Sequence, residues 1–520
     1  MHRRHFLQWL GATVVGLSAS TSTLPSYAPT ADISAPVNAT PVPPPALSPP
    51  SNPTLPPVPT AVAAQAVTAD SQRDKTTSAV ICLPIVVAQA VTAAFQRVIV
   101  IGAGMAGLAA AQRLSQRGIK PLVLEARDRI GGRLWTSNKW PDAPMDLGAS
   151  WIHGVDGNPI MTLAQTVGAK MATTYYESTI GYGSQGQVLS DAQEAQIERL
   201  DKAITQALKA AQKRDDDQSI QTVIEKALNW AKLSLEEQQL VSFILNGKFE
   251  QEYAGSIGEL SAHWYDDDAA FKGDDALFLA GYGAIAGYLA QGLDIKTNSP
   301  VRQIEWKTAK DRVSVTTDSA TYVAEKVLVT LPLGVLKRSA VMFKPALPAQ
   351  KQKAIEALKM GVLNKCYLRF PKVFWQAKYD WMEYVAPNAG EWVEWVSFAR
   401  PTGLPILLGF NAANIGQSIE ALSDEKIVAS AMQTLRTIFG RNTPDPIDYQ
   451  ITRWSSDPFA GGSYSFNPVG AVPEMRDHLA KSLDDVLYFA GEAASRQYFG
   501  TVHGAYLSGV KAADEILKTA

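Results

Sequence analysis

The sequence predicts an α/β fold built on a Rossmann-like dinucleotide-binding domain, and three segments carry that prediction. One is Val98-Ile99-Val100-Ile101-Gly102-Ala103-Gly104-Met105-Ala106-Gly107, an apolar, β-branched run that breaks into closely spaced glycines. A second apolar run, Pro121 to Leu124, ends on an acid, Glu125. The third lies at the other end of the chain. There Val486-Leu487-Tyr488-Phe489-Ala490-Gly491-Glu492 reads as a strand running into a turn, and Thr501-Val502 opens a final helix.

Arg97 to Ile101 has the composition of a buried parallel strand. Gly102 permits the tight turn that follows, Gly104 lets backbone approach a pyrophosphate, and Gly107 lets the next helix, Met105 to Gln116, pack close to the strand. Unpaired N–H groups at that helix N-terminus favour phosphate charge. Glu125 stands at the spacing expected of a ribose hydroxyl ligand. Next comes Glu125-Ala126-Arg127-Asp128-Arg129-Ile130-Gly131-Gly132-Arg133, a second glycine-containing turn with three arginines. Gly131 and Gly132 allow close approach of a ligand. Arg127 and Arg133 are candidates to neutralise a diphosphate, and Arg129 reads as part of a solvated turn.

Composition narrows the function classes. The 520 residues carry a formal charge of −2, with 19 % charged and 46 % hydrophobic residues, so several domains with large cores fit. No basic excess points to nucleic acid. Two cysteines, Cys82 and Cys366, cannot organise a disulfide framework. No metal-ligand spacing appears among them or the six histidines, so no metal is expected.

The N-terminal part reads as an address and a tether. His2-Arg3-Arg4-His5-Phe6-Leu7 is a twin-arginine pattern, and the apolar stretch Trp9 to Ala19 after it is short for a membrane span. Residues 1–28 are expected to be a twin-arginine signal segment that sends the protein, by that export machinery, to the periplasm or outside the cell. Residues 29–94 are expected to be a Pro/Ala-rich disordered linker. They contain a short duplication, Ala64-Gln65-Ala66-Val67-Thr68-Ala69 recurring as Ala88-Gln89-Ala90-Val91-Thr92-Ala93. The apolar run Ala79 to Phe95 reads as a lead-in to the first strand, with no stable span expected in the mature protein.

Residues 190 to 245 are polar-helical. Strand-like segments return at Asp294 to Lys296, Val301 to Trp306, Val313 to Thr316 and Val327 to Thr330. A later stretch, Lys344 to about Tyr449, holds β-type segments at Lys365 to Phe370 and Trp392 to Phe398 and a helix from Asp424 to Phe439.

Taken together, the turn at Glu125 to Arg133 and the final Val486 to Gly509 segment resemble the flavin amine oxidase superfamily. That superfamily includes monoamine oxidases, polyamine oxidases, L-amino-acid oxidases and lysine-specific histone demethylases. The resemblance covers residues 95–520. It implies a discontinuous FAD-binding domain from residues 95–155, 276–343 and 447–520, with an inserted mixed α+β substrate domain from 156–275 and 344–446. It also implies FAD as cofactor. Beyond the residues already named, Gly132, Ser150, Trp151 and Val301 would border the FAD, and Glu492 would contact its sugar and phosphate portion. Gly491, Thr501 and Val502 would offer a turn and a helix N-terminus to it.

Lys365 lies in Gly361-Val362-Leu363-Asn364-Lys365-Cys366-Tyr367-Leu368-Arg369-Phe370, which looks like the family segment whose lysine holds a water against flavin N5. A lysine interrupting an apolar strand needs a partner or a depressed pKa if it is buried. The segment Trp454 to Ser465 resembles the family's substrate-side loop. Ser463 stands where monoamine oxidases have a flavin-bonded cysteine, which implies non-covalent FAD. Tyr464 matches one wall of the family's aromatic cage; Thr501 stands where many relatives have the second tyrosine. In Asp146-Leu147-Gly148-Ala149-Ser150-Trp151-Ile152-His153-Gly154 the resemblance to polyamine oxidases puts His153 in the catalytic tunnel. Asp266 to Asp268 and Asp274-Asp275 could attract a cationic substrate electrostatically. Asp215 to Asp217 read as a plain inter-helix loop.

The resulting expectation is an FAD-dependent amine oxidase acting on polyamines, with O2 as electron acceptor and H2O2 as product. An L-amino-acid or monoamine oxidase is the alternative within enzymes. A flavin-binding scaffold without turnover is the alternative outside them.

Overall fold

The computed structural model describes residues 91–92, 96–307 and 312–519. The twin-arginine segment, most of the linker with its first repeat copy, Cys82 and most of the Ala79 to Phe95 run lie outside the described residues. Of the expected linker, Val91–Thr92 is a short strand paired in parallel with Ala320–Thr321, so ordered pairing begins before residue 94.

Two sheets dominate. In the first, strands run in the order Asp294–Lys296, Leu122–Leu124, Gln96–Ile101, Ala320–Val329, Val313–Thr317, Val301–Glu305, Met342–Lys344. Leu487–Phe489 also pairs with the long strand Ala320–Val329. The strand at Gln96–Ile101 is buried from Val98 onward, as its β-branched composition requires. Its parallel neighbours match in register, with Ile101 beside both Leu124 and Val329, and Val329 beside Phe489. The carboxyl ends of four strands therefore meet at one edge of the sheet, where α/β folds bind ligands. Helix Met105–Gln116 packs on the C-terminal helix Val502–Lys518, and an added Cβ at Gly509 would lie 2.1 Å from the Ala106 carbonyl. Small residues on both helices make that approach possible.

The second sheet runs Asp448–Ile451, Leu363–Arg369, Ile406–Ala412, Glu394–Ser397, Trp381–Tyr384, Thr179–Tyr182. Helices Asp191–Ala211, Ile220–Ala227 and Leu235–Leu245 share an apolar core with it. Ser190 with Gln193 and Ser234 with Glu237 form capping boxes that start two of these helices. A π-helical turn, Asn246–Glu250, follows the third. The strand Asp448–Ile451 pairs with Cys366–Arg369 in this second sheet, so the expected boundary at residue 447 falls one strand early. The sequence reading missed it because the apolar content of this strand is low. A small sheet of Trp151–Ile152, Asp275–Phe278 and Met171–Thr174 completes the scaffold around the site. Among the described residues no helix is long and apolar enough to cross a membrane.

Candidate active site

A cavity of about 470 Å³ opens at the carboxyl ends of the first sheet and extends to the second. At one end lies the glycine turn. Gly102 sits at φ +103°, a conformation that L side chains rarely adopt, and an added Cβ would lie 2.7 Å from the Thr330 hydroxyl. Gly107 is pressed so near the turn that its Cβ would come within 1.9 Å of the Gly102 carbonyl. Gly104 and Gly491 line the cavity, and a Cβ on either would meet nothing within 4 Å.

Both Glu125 oxygens accept backbone N–H groups, from Ala103 at 2.7 Å and Arg127 at 2.8 Å. Each oxygen keeps lone-pair capacity, and the residue lines the cavity, as ribose binding requires. Arg133 donates to Glu492 at 2.8 Å and to the Ser463 carbonyl at 2.9 Å. Glu492 also accepts from Ser465 Oγ at 2.6 Å and the Gly500 N–H at 3.0 Å. Burial raises the Glu492 carboxyl, but Arg133, Ser465 and Arg476 outweigh it, and the group is held below the usual carboxylate range. Thr501 caps the last helix by accepting the Gly504 N–H at 2.9 Å. Gly132, Ser150, Trp151, Val301, Thr501 and Val502 all line the cavity. The open glycine positions, the Glu125 acceptors and the helix N-terminus fit a flavin dinucleotide.

Arg127 lines the cavity beside Glu125, and its guanidinium is engaged bidentately by Asp457 at 3.0 and 2.7 Å. Arg129 is not in a solvated turn. It lies 4.6 Å from the Trp135 ring centroid and donates to the Gly132 carbonyl at 2.9 Å, and burial lowers its pKa to about 10. A sequence pattern cannot show that Trp135 folds back over it.

At the other end of the cavity stands Lys365, on Leu363–Arg369 opposite Phe410. It is buried at 6 % exposure, so this lysine is not on the solvent face of its strand. Its Nζ reaches the Asp146 carbonyl at 2.8 Å, the Gly148 carbonyl at 2.6 Å and Ser150 Oγ at 2.5 Å. Burial pushes its pKa down, and the Asp146 carboxylate pulls partly back. Asp146 is itself raised by burial, against donation from Thr136 and the Tyr282 N–H. The Trp151 ring lies 5.7 Å from Nζ.

Ser463 Oγ accepts the Leu363 N–H at 2.8 Å and donates to the Leu363 carbonyl at 3.0 Å. Tyr464 lines the cavity and donates its hydroxyl to the Gln251 carbonyl at 2.8 Å. Trp454 is buried and donates Nε1 to the Leu147 carbonyl at 3.2 Å. His153 lines the cavity with Nδ1 2.7 Å from Asp275. Asp275 therefore serves a side chain of the site and is not a loose entrance charge. Asp217 is likewise structural, since it accepts from Ser261 Oγ at 2.8 Å and the Gly470 N–H at 3.1 Å.

Several contributors carried no sequence signal. Trp381 and Phe410 line the cavity beside Trp151, with Trp151 and Trp381 stacked at 5.8 Å. Glu420 receives the N–H groups of Ser455 and Ser456 and the Asn364 amide, tying the Trp454 loop to the lysine strand. These residues lie far apart in sequence and meet only in the folded chain.

The chain belongs to the flavin-containing amine oxidoreductase family, whose model matches residues 105–517. It is accordingly a flavin-dependent enzyme of the amine oxidase class. Among its relatives it is 34 % identical to polyamine oxidase 4 of Oryza sativa subsp. japonica, over 81 % of this chain and 88 % of that one. It is 35 % identical to lysine-specific histone demethylase 2 of Homo sapiens over 81 % of this chain, and it spans only 53 % of that protein's length. Solved structures of a putrescine oxidase share the fold, with a TM-score of 0.68, 19 % identity for the wild type, and cover of 82 % of this chain and all of theirs.

Proposed function

We propose that this enzyme oxidises amines without a carboxylate, polyamines in particular, using non-covalently bound FAD and O2. The single observation that carries the reading is one cavity joining the dinucleotide turn at Gly102 to the buried amine of Lys365. FAD held by Glu125, Arg133, Glu492 and the Thr501–Val502 helix start would supply a two-electron acceptor for oxidation of the carbon beside the amine nitrogen to an imine, with O2 as final acceptor and H2O2 as product. The imine then takes up water and falls to an aldehyde and a smaller amine or ammonia.

The protein's share is position, desolvation and proton placement. Glu125, Arg133, Glu492 and the Thr501–Val502 helix start hold the cofactor. Lys365 is the residue nearest in character to a water-holding lysine. Its three acceptors, the Asp146 and Gly148 carbonyls and Ser150 Oγ, are the groups with which a water at Nζ would compete. Tyr464, Trp454, Thr501 and His153 wall the substrate. Ser463 has a hydroxyl, already bonded on both sides to Leu363, where a thioether would need a thiol; this supports non-covalent attachment. The arginines lining the described cavity are Arg127, Arg133 and Arg302, and each is paired with an acid, Asp457, Glu492 and Asp318 respectively. None is left to clamp a substrate carboxylate, which argues against L-amino acids.

A peroxide assay over spermine, spermidine, putrescine, tyramine, lysine and phenylalanine tests the reading. Highest kcat/KM on a polyamine is the expected result; preference for an amino acid would overturn the substrate class. Failure of every amine to bleach the flavin without oxygen would leave only a scaffold. Precipitation with acid should release all the flavin. The twin-arginine pattern supports delivery of the folded holoenzyme to the periplasm or beyond. Replacing Arg3 and Arg4 with Lys should trap it in the cytoplasm, and unchanged export would sink that proposal.

A further inference from the structure

Arg476 lies on the short helix Glu474–Ala480 and is fully buried. Burial lowers its pKa to about 10, which leaves the guanidinium charged at neutral pH. All the hydrogen bonds it makes among the described residues go to uncharged groups. Nε donates to Asn467 Oδ1 at 3.0 Å, and one terminal nitrogen donates to Ser465 Oγ at 2.8 Å and to the Ala493 carbonyl at 3.1 Å. The other terminal nitrogen has no hydrogen-bond partner among the described residues, and the Phe499 ring centroid lies 4.0 Å from the guanidinium carbon. A charge buried without an ion partner is costly, so its placement calls for a reason.

The reason lies one bond further on. A serine hydroxyl has a single hydrogen to give. Ser465 accepts from Arg476 and gives that hydrogen to Glu492 Oε2 at 2.6 Å. Guanidinium, hydroxyl and carboxylate thus form a chain in which each bond polarises the next. The same Oε2 accepts the Ser465 N–H at 3.3 Å and the Gly500 N–H at 3.0 Å, while Oε1 accepts Arg133 at 2.8 Å. Every one of these groups donates, which favours the ionised carboxylate, and Oε1 keeps lone-pair capacity. Glu492 and Arg133 both line the cavity. The charged groups acting on this chain are Arg133 on Glu492, and Asp267 and Asp268 on Arg476. Asp267 lies 3.8 Å from Arg496, which also pairs with Glu474 and Asp477 on the helix of Arg476. Those three acids share a cation of their own, and Glu492 is the buried carboxylate that Arg476 serves.

We propose that Arg476 is a positioning residue for the cofactor: through the Ser465 hydroxyl it keeps Glu492 an acceptor-only carboxylate at the dinucleotide end, and through Glu492 it holds the Arg133 guanidinium there. This rests on the flavin reading above and adds to it a residue that does not itself line the cavity. The arrangement reaches the substrate side as well. Ser465 adjoins Tyr464, and Arg133 donates to the Ser463 carbonyl at 2.9 Å, so the two arginines pin that segment from both sides.

The test follows release of FAD from the diluted full-length holoenzyme, read as the rise of flavin fluorescence, between about pH 8.5 and pH 5.5. The parent's rate should change less than twofold across that range. Without Arg476, burial is free to push the Glu492 carboxyl up, and it takes on a proton as pH falls. Arg476→Met should therefore release flavin at least fivefold faster at the acid end than at the alkaline end. Ser465→Ala should show the same slope, the double variant little more than either, and Arg476→Lys, which keeps the charge, a profile close to the parent's. In a Glu492→Gln background, where that group cannot titrate, the slope caused by Arg476→Met should vanish. Faster release by one factor at every pH would mean a merely structural role and overturns the proposal, as does a slope that survives Glu492→Gln. If Arg476→Met does not fold, Ser465→Ala decides, and a flat profile there refutes the assignment. A parent that purifies without FAD and cannot take it up would instead strike the flavin reading itself.

Discussion

Replacing Lys365 with Met keeps the length of the stem and removes the amine. The surroundings show how much stability should go with it. The Asp146 carbonyl retains the Tyr367 hydroxyl at 2.8 Å. Ser150 Oγ already donates toward the Gly148 carbonyl at 3.4 Å, so that carbonyl keeps a partner. No buried carbonyl is orphaned, and the loss is the three hydrogen bonds of Nζ, each contributing about 0.5–1.5 kcal/mol. Relief of the desolvated charge offsets part of this. The expected destabilisation is about 1–3 kcal/mol, a fall in Tm of several degrees. Activity should fall much further. A positioned proton-handling group contributes roughly 10²–10⁴-fold, or about 3–5 kcal/mol on the barrier. Anaerobic stopped-flow bleaching of the flavin by the best polyamine reads the chemical step directly. Bleaching at the parental rate would refute the role given to Lys365. A rate loss that merely tracks loss of folded protein would do the same.

Glu492→Gln should leave Arg133 without its charged partner at the dinucleotide end, costing about 2–4 kcal/mol and lowering flavin content; the flavin-to-protein absorbance ratio after gel filtration checks it, and full occupancy would contradict the assignment. Asp457→Ala should release the Arg127 guanidinium from its bidentate partner, destabilising the protein by about 1–3 kcal/mol and speeding flavin loss on dilution; an unchanged off-rate would show that the pair is irrelevant to retention. Lys351 donates to the His478, Leu479 and Lys481 carbonyls at the end of helix Glu474–Ala480, and burial lowers its pKa to about 7 from an ordinary 10.5. Between those values the unfolded chain binds the extra proton, so this lysine's contribution makes stability rise with pH above about 7. Lys351→Met should remove that rise and cost about 2–4 kcal/mol from the unsatisfied carbonyls; equal pH slopes in urea melts of both proteins would disprove it.

Much of the dinucleotide end was legible because its requirements are local. Gly102, Gly104, Gly107 and Glu125 serve backbone turns, close approach and strand ends, and each of these leaves a trace within about 30 residues of chain. The expected strand at Arg97 to Ile101 and helices at Met105 to Gln116 and Asp424 to Phe439 appear at nearly those bounds. Lys365 could be singled out as a lysine in an apolar strand, but its three partners could not, since they come from residues more than 200 positions away. Arg127 and Arg129 show the reverse case. Their residue type was informative, and their surroundings were set by Asp457 and Trp135, which no local pattern ties to them.

Taken alone, the chain determined that a phosphate-bearing dinucleotide sits at the end of a parallel sheet and that a lysine is carried on an apolar strand. It did so because glycine geometry and alternating burial are read one element at a time. Only the tertiary structure decided which acid answers which base: Asp457 for Arg127, Glu492 for Arg133, Asp275 for His153. Those choices depend on distances across sheets and between helices, where a few ångströms separate a paired charge from a solvated one and sequence separation has no bearing.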